Sequence, residues 1–257
     1  MTSIDLNADL GESFGSLRLR NDAAMLDIVT SANIACGFHA GDALQMSEVT
    51  ELALRNEVVI GAHPGFNDRE GFGRRRLNDI PDKQLGADLI YQIGALQAIA
   101  RSKGGQVTQV KLHGALANMV CEDFRLAQLC VRAISSLDRT LALLVMPGTQ
   151  IEKAAREADC PVIRELYADR AYNADATLVS RQEKGAIIDN PQLAADRMLD
   201  MLESGMITSI TGERIRVEGD SICVHGDNPQ AIKMAETIRE RLEKAGVRVE
   251  KFRFDGP

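Results

Sequence analysis

The chain is 257 residues long, 45% apolar and 26% charged, with a net charge of −7. Such a length suits one α/β barrel of ~250 residues, and the acidic balance argues against nucleic acid or an anionic membrane surface as partner. Aromatic residues make up only 4% and Trp is absent, which fits helices packed on a parallel sheet better than an aromatic-rich sandwich.

Short apolar runs predict strands over residues 4–8, 32–36, 58–62, 107–112, 141–146, 162–167 and 221–224. Helical periodicity fills the intervals at 43–55, 83–103, 124–137, 150–158, 191–203 and 229–245. Leu44, Val49, Leu52 and Ala53 carry it in the first of these, and Leu85, Leu89, Ile93 and Leu96 in the second. Asn190-Pro191 and Asn228-Pro229 read as helix starts, and Gly205 and Gly246 as helix ends. Strand–helix alternation along the whole chain means parallel strands joined by crossover helices. The expected fold is therefore α/β: a seven-stranded β/α barrel of the TIM-like type in a single domain, with a doubly wound open sheet as runner-up. Residues 213–224, ERIRVEGDSICV, read as a small hairpin inserted before the last barrel strand, and a short strand over 247–252 closes the chain.

The opening MTSIDLNADLGES places acids where a leader needs basic and then apolar residues. The five Cys form no CxxC pair and sit in apolar or helical settings, as reduced core thiols do. A cytoplasmic location is the expectation from both.

All four histidines, His39, His63, His113 and His225, follow an apolar strand-like run and precede Gly, Ala or Pro. One such histidine is most simply a satisfied core or surface residue. Four of them, on four strands of a parallel fold, point to one rim, because strand C-termini converge on the active-site face. In the first strand, Asp5, Asn7 and Asp9 alternate with Leu6 and Ala8, so a polar face turns into the barrel or its mouth. Glu12 follows that strand and Asn33 lies on the second; Asp42 comes three residues after His39, and Asp227 two after His225. Imidazole beside carboxylate suits general acid–base work, a divalent metal such as magnesium, or both; Asp9, His39 and His63 are the candidate ligands, although no zinc signature is present.

Gly71-Phe72-Gly73-Arg74-Arg75-Arg76 reads as an anion clamp through Arg74 and Arg75, with Arg76 as a solvated turn residue. Lys111 shares a strand face with His113 and is suited either to an oxyanion or to an interior ion pair with Asp9 or Glu165. The sixth strand ends in Glu165, Tyr167, Asp169 and Arg170; Arg170 and the later Arg181 are candidates for holding a substrate carboxylate. There is no GxxxxGK[ST] loop, no GxGxxG after the first strand and no GxSxG elbow, so nucleotide binding by this chain alone and nucleophilic serine chemistry lack support.

The blocks DLNADLGESFG, SANIACGFHAGD, GAHPGFNDREGFGRR, VKLHGALAN, ELYADRAYN and ICVHGD, in this order, resemble the LamB/YcsF family over nearly the whole chain. The resemblance implies a seven-stranded barrel related to polysaccharide deacetylases, and a role as the A subunit of 5-oxoprolinase. That activity opens 5-oxo-L-proline to L-glutamate with ATP, bound mainly through partner subunits B and C. On that footing Asp9, or Asp42 in its place, is the expected base, Lys111 and His113 stabilise the oxyanion, and the remaining residues named above bind substrate. The family's usual KPHGALYN, LVPR and FADR read here as KLHGALAN, LVSR and YADR, with Leu112, Ala117, Ser180 and Tyr167 at the changed positions. Two other readings fit the same residues: a stand-alone metal-dependent deacetylase or amidohydrolase, and a non-catalytic carrier of small carboxylates.

Overall fold

The structure, a computed structural model, describes residues 3–13, 21–225 and 229–253. In chain order its strands are β1 (Ser3–Leu10), β2 (Ser31–Ala35), β3 (Val59–His63), β4 (Val107–Lys111), β5 (Ala142–Val145), β6 (Val162–Tyr167), β7 (Met206–Thr208), β8 (Arg214–Arg216), β9 (Ser221–His225) and β10 (Arg248–Val249). The helices are α1 (Asp22–Leu26), α2 (Ala43–Arg55), α3 (Asp82–Ser102), α4 (Gly114–Glu122), α5 (Phe124–Leu137), α6 (Gln150–Glu157), α7 (Pro191–Ser204) and α8 (Pro229–Lys244).

Strands β1 to β6 pair in sequence, all parallel; β9 pairs with both β6 and β1 and closes a seven-stranded barrel. The period-2 alternation decides which way each strand faces. Ile4, Leu6, Ala8 and Leu10 of β1 join Ile34, Ile60, Val110, Leu143, Leu166 and Ile222 in one apolar layer with the helices. The opposite faces carry the polar residues inward. Helix starts are set by side chains: Asp42 accepts from Gln45 N at 2.9 Å, Asp123 from Leu126 N at 3.1 Å and Asn190 from Leu193 N at 3.0 Å. Gly205 ends α7 in the left-handed region at φ 66°.

Three features differ from the sequence expectation. The hairpin lies earlier: β8 pairs antiparallel with β7, and Ser221–His225 belongs to the barrel wall. The Glu218–Gly219–Asp220 segment is therefore a link into β9, fixed by a bidentate Asp220–Arg164 pair. The closing strand shrinks to Arg248–Val249, paired with the start of β1, while Phe252 packs on Ala142, Leu144 and Ile163. Helices α1 and α4 are additional; α4 starts directly after His113. No helix among the described residues is long and apolar enough to cross a membrane.

Candidate active site

The barrel interior is a stack of polar layers built on alternate residues of β1. At the bottom, Asp5 accepts from Thr30 and Ser31 hydroxyls, each at 2.6 Å, and from Ser221. Burial pushes its carboxyl above the ordinary range, against those three hydroxyl bonds. One layer up, Asn7 accepts from Asn33 Nδ2 at 2.7 Å and donates to Ser221 Oγ at 2.7 Å. Gly61 leaves the room this layer needs, since a Cβ there would lie 2.8 Å from Gln109 Cγ and 3.1 Å from Asn33 Oδ1. The top layer holds Asp9. Its Oδ1 accepts from Asn33 Nδ2 at 3.0 Å and from Lys111 Nζ at 2.9 Å, and its Oδ2 lies 3.3 Å from His63 Nε2.

Lys111 is only 3% exposed. Its Nζ also reaches Cys223 Sγ at 3.0 Å, and Glu165 Oε1 at 2.9 Å without hydrogen-bond alignment. Burial alone would lower the Lys111 pKa, but Asp9, Cys223 and Glu165 outweigh it and hold the ammonium well above its usual range. Burial keeps the neighbouring Cys223 thiol and Tyr167 phenol protonated, both pushed well up. The oxyanion or ion-pair alternatives for Lys111 are thus not exclusive: the pair exists, and the ammonium still lines the cavity.

Beside Asp9 lies a cluster of Glu12, His39, His63 and His113, one donor atom of each within 4.8 Å of the others. Nε2 of His39 is 3.2 Å from Glu12 Oε1. The His39 and His113 rings stack at 3.7 Å with 4° between planes, and His63 stands edge-on to both. Burial, then the neighbouring imidazoles, lowers the pKa of His113 well below its usual value; burial first and His63 next do the same for His39. Gly73, at φ 65°, lets the 71–76 loop approach: a Cβ there would meet His113 Cδ2 and His39 Cβ at 2.8 Å. That loop presents the Phe72 carbonyl, 2.8 Å from His113 Nε2.

A cavity of about 640 Å³ opens over this floor, lined by Asp9, Glu12, His63, Lys111 and His113. Its walls are Arg74 and Arg76 on one side and Arg170, Asn173 and residues 177–183 on the other. The second wall comes from the long excursion between β6 and α7, held by bridges Arg170–Ile187 and Tyr172–Leu178 and by a Tyr172 hydroxyl that accepts from Tyr167 N at 2.7 Å. A smaller apolar annex adjoins it, reaching Leu144, Ile151 and Glu165.

Several expected site residues lie elsewhere. Asp42 caps α2 and does not line the cavity, because its carboxylate is engaged by the first turn of its own helix. Arg75 turns to the buried Asp68, with Nε 2.9 Å from Oδ1, and so pins the loop; Arg76, read as a solvated turn residue, lines the cavity in its place. Asn7 and Asn33 lie beneath Asp9 and position it without reaching the cavity. Glu165 lines only the annex, and Asp169 lies outside both spaces. Arg170 lines the main cavity while donating to the Val179 carbonyl at 2.6 Å, and Arg181 lines it further out. His225 stands opposite Asp9 in the strand register; its side chain and Asp227 lie outside the described residues. Asn118, Asn173 and the 177–183 wall were not singled out from sequence; only their positions after the third histidine and after β6 hinted at them.

The sequence profile of the LamB/YcsF family matches residues 4–255. The chain belongs to that family. A LamB/YcsF relative from Pseudomonas syringae pv. tomato, named as a 5-oxoprolinase A subunit, is 48% identical over 252 residues, covering 98% of each chain. The crystal structure of a lactam utilization protein from Thermus thermophilus is 40% identical, with a TM-score of 0.92 over 98% of this chain and 100% of that one. A family 4 carbohydrate esterase from Streptomyces lividans, at 9% identity, shares the fold with a TM-score of 0.52 over 98% of this chain and 93% of its own.

Proposed function

We propose that this chain is the A subunit of a 5-oxoprolinase, acting with partner subunits B and C to open 5-oxo-L-proline to L-glutamate at the expense of ATP. The single observation that carries the reading is Asp9. It is a buried carboxylate held between the Lys111 ammonium and the His63 ring on the floor of a cavity walled by arginines. The relative's name supports the reaction, and the lactam named for the Thermus protein supports the substrate class. Its subunit designation supports an assembly of several chains.

Opening a lactam requires water to add to an unreactive amide carbonyl, a donor for the developing oxyanion, and a proton for the ring nitrogen as the C–N bond breaks. Asp9 removes the proton from water. Lys111, charged and dry, meets the oxyanion where a fixed ammonium is worth far more than in water. The proton gained by Asp9 passes to the departing nitrogen. Arg170 and Arg181 hold the α-carboxylate, and Arg74 with Arg76 meets a phosphoryl group carried in on the lactam carbonyl oxygen. Nucleotide binding falls to the partner subunits, in keeping with the missing phosphate-loop motif. The stand-alone deacetylase and the carrier readings gain no support from the relatives.

The test is 5-oxoproline turnover, first with this chain alone and then with the two partner subunits and ATP. Glutamate formed only in the complete mixture is the expected result. Efficient ATP-independent deacetylation by the chain alone would overturn the assignment.

A further inference from the structure

We propose that Glu12, His39, His63 and His113 form a binding site for one divalent transition-metal cation of the Zn²⁺ or Co²⁺ class, separate in its ligands from the Asp9–Lys111 pair. The inference begins with the ring nitrogens. Nδ1 of His63 lies 2.8 Å from the Lys111 carbonyl and Nε2 of His113 lies 2.8 Å from the Phe72 carbonyl. A carbonyl only accepts, so both of these nitrogens carry protons. In neutral rings the other two nitrogens, His63 Nε2 and His113 Nδ1, are then bare, and they face each other at 3.0 Å. Glu12 Oε1 adds a third electron-rich atom, 3.5 Å from His113 Nδ1 and 3.9 Å from His63 Nε2. His39 Nε2 completes the group, 3.2 Å from the same oxygen. Lone pairs do not converge in a dry interior without a positive partner.

The spacing fits such a partner. Tetrahedral ligands at ~2.0–2.1 Å from a zinc-sized ion stand roughly 3.3 Å from one another, and these separations among the four groups run from 3.0 to 3.9 Å. The outer shell is also in place for two of the imidazoles, since each donates its far N–H to a backbone carbonyl, which fixes tautomer and ring direction. His39 lacks that support: its Nδ1 is buried without a hydrogen bond, and its ring is held by stacking on His113. The sequence-level trio of Asp9, His39 and His63 thus gives up Asp9 to Lys111 and gains Glu12 and His113. Three imidazoles and one carboxylate suit Zn²⁺, Co²⁺, Ni²⁺ or Mn²⁺; Mg²⁺ prefers an all-oxygen octahedron.

The test needs no turnover and stands apart from the 5-oxoproline assignment. The full chain is stripped with chelator and titrated with Co²⁺, reading metal per chain after gel filtration and the visible d–d absorption. One Co²⁺ per chain is expected, with a visible band that Zn²⁺ abolishes on displacing it. Glu12→Gln and His113→Asn are expected to weaken binding by about 10-fold to about 1000-fold, whereas Asp42→Asn, remote from the cluster, leaves it unchanged. Circular dichroism checks the folding of each variant; if His113→Asn does not fold, the near-isosteric Glu12→Gln decides. Less than about 0.1 Co²⁺ per stripped chain at millimolar metal, or stoichiometric binding that persists undiminished in Glu12→Gln, would overturn the proposal.

Discussion

Replacing Lys111 with Met keeps most of the side-chain volume but removes the cation between two buried acids. Nζ of Lys111 lies 2.9 Å from both Asp9 Oδ1 and Glu165 Oε1, and all three side chains are at most 7% exposed. Breaking a buried pair by deleting one partner costs about 3–5 kcal/mol, because the charge left behind has neither water nor a counter-ion. At about 2–4 °C per kcal/mol for a chain of this size, the melting temperature should fall by roughly 6–20 °C. The cost arises from stranded charge, so removing one of the acids must relieve it. Glu165→Gln introduced into Lys111→Met is therefore predicted to recover stability, whereas the same change in the wild type destabilises. Urea unfolding of the four proteins gives the coupling, expected to exceed about 1.5 kcal/mol for groups in direct contact. A Lys111→Met cost under about 1 kcal/mol, or effects that simply add, would refute the description of this pair as dry and mutually dependent.

Other consequences are simpler to measure. Asp42→Ala should lower stability by about 0.5–2 kcal/mol through loss of the α2 cap and leave turnover in the assembled enzyme unchanged; a large loss of kcat would restore Asp42 to the mechanism. Arg75→Ala should free the 71–76 loop and raise KM through Arg74, with the effect reproduced by Asp68→Ala; independent, unlike effects in steady-state kinetics would separate the two residues. Burial pushes the Cys36 and Cys130 thiols up to about 12. Because the thiolate is the reactive form, these two should resist a disulfide reagent at about pH 8 until the chain unfolds, and mass spectrometry showing rapid native labelling at either position would contradict that.

The barrel was legible because its two periodicities are clean. Apolar residues alternate with Asp5, Asn7 and Asp9 on β1, and in a parallel fold whose other face is covered by helices such a polar face must turn to the barrel interior. Three of the histidines converge as the strand-end argument requires. What the sequence did not separate were roles that depend on local backbone direction. Asp42 precedes both a helix and a candidate rim, and the helix-cap reading, available from its position just before residues 43–55, was the one the fold uses. Among three consecutive arginines, the choice of which one reaches the cavity rests on positive φ at Phe72 and Gly73, which turns Arg75 back onto Asp68. The β7–β8 pair escaped notice because three-residue strands carry too few alternations to distinguish from the preceding helix end. The 168–190 excursion builds half of the cavity wall from two isolated bridges and a buried tyrosine, none of which leaves a periodic trace.

The most direct measurement is ATP-dependent glutamate formation from 5-oxoproline by the reconstituted subunits with Asp9→Asn in this chain, alongside a check by gel filtration that the assembly is intact. The proposed role of Asp9 as the base predicts a kcat reduced by about 10²–10⁴-fold in a folded, fully assembled enzyme. Wild-type turnover from that assembly would place the chemistry somewhere other than the Asp9–Lys111 floor.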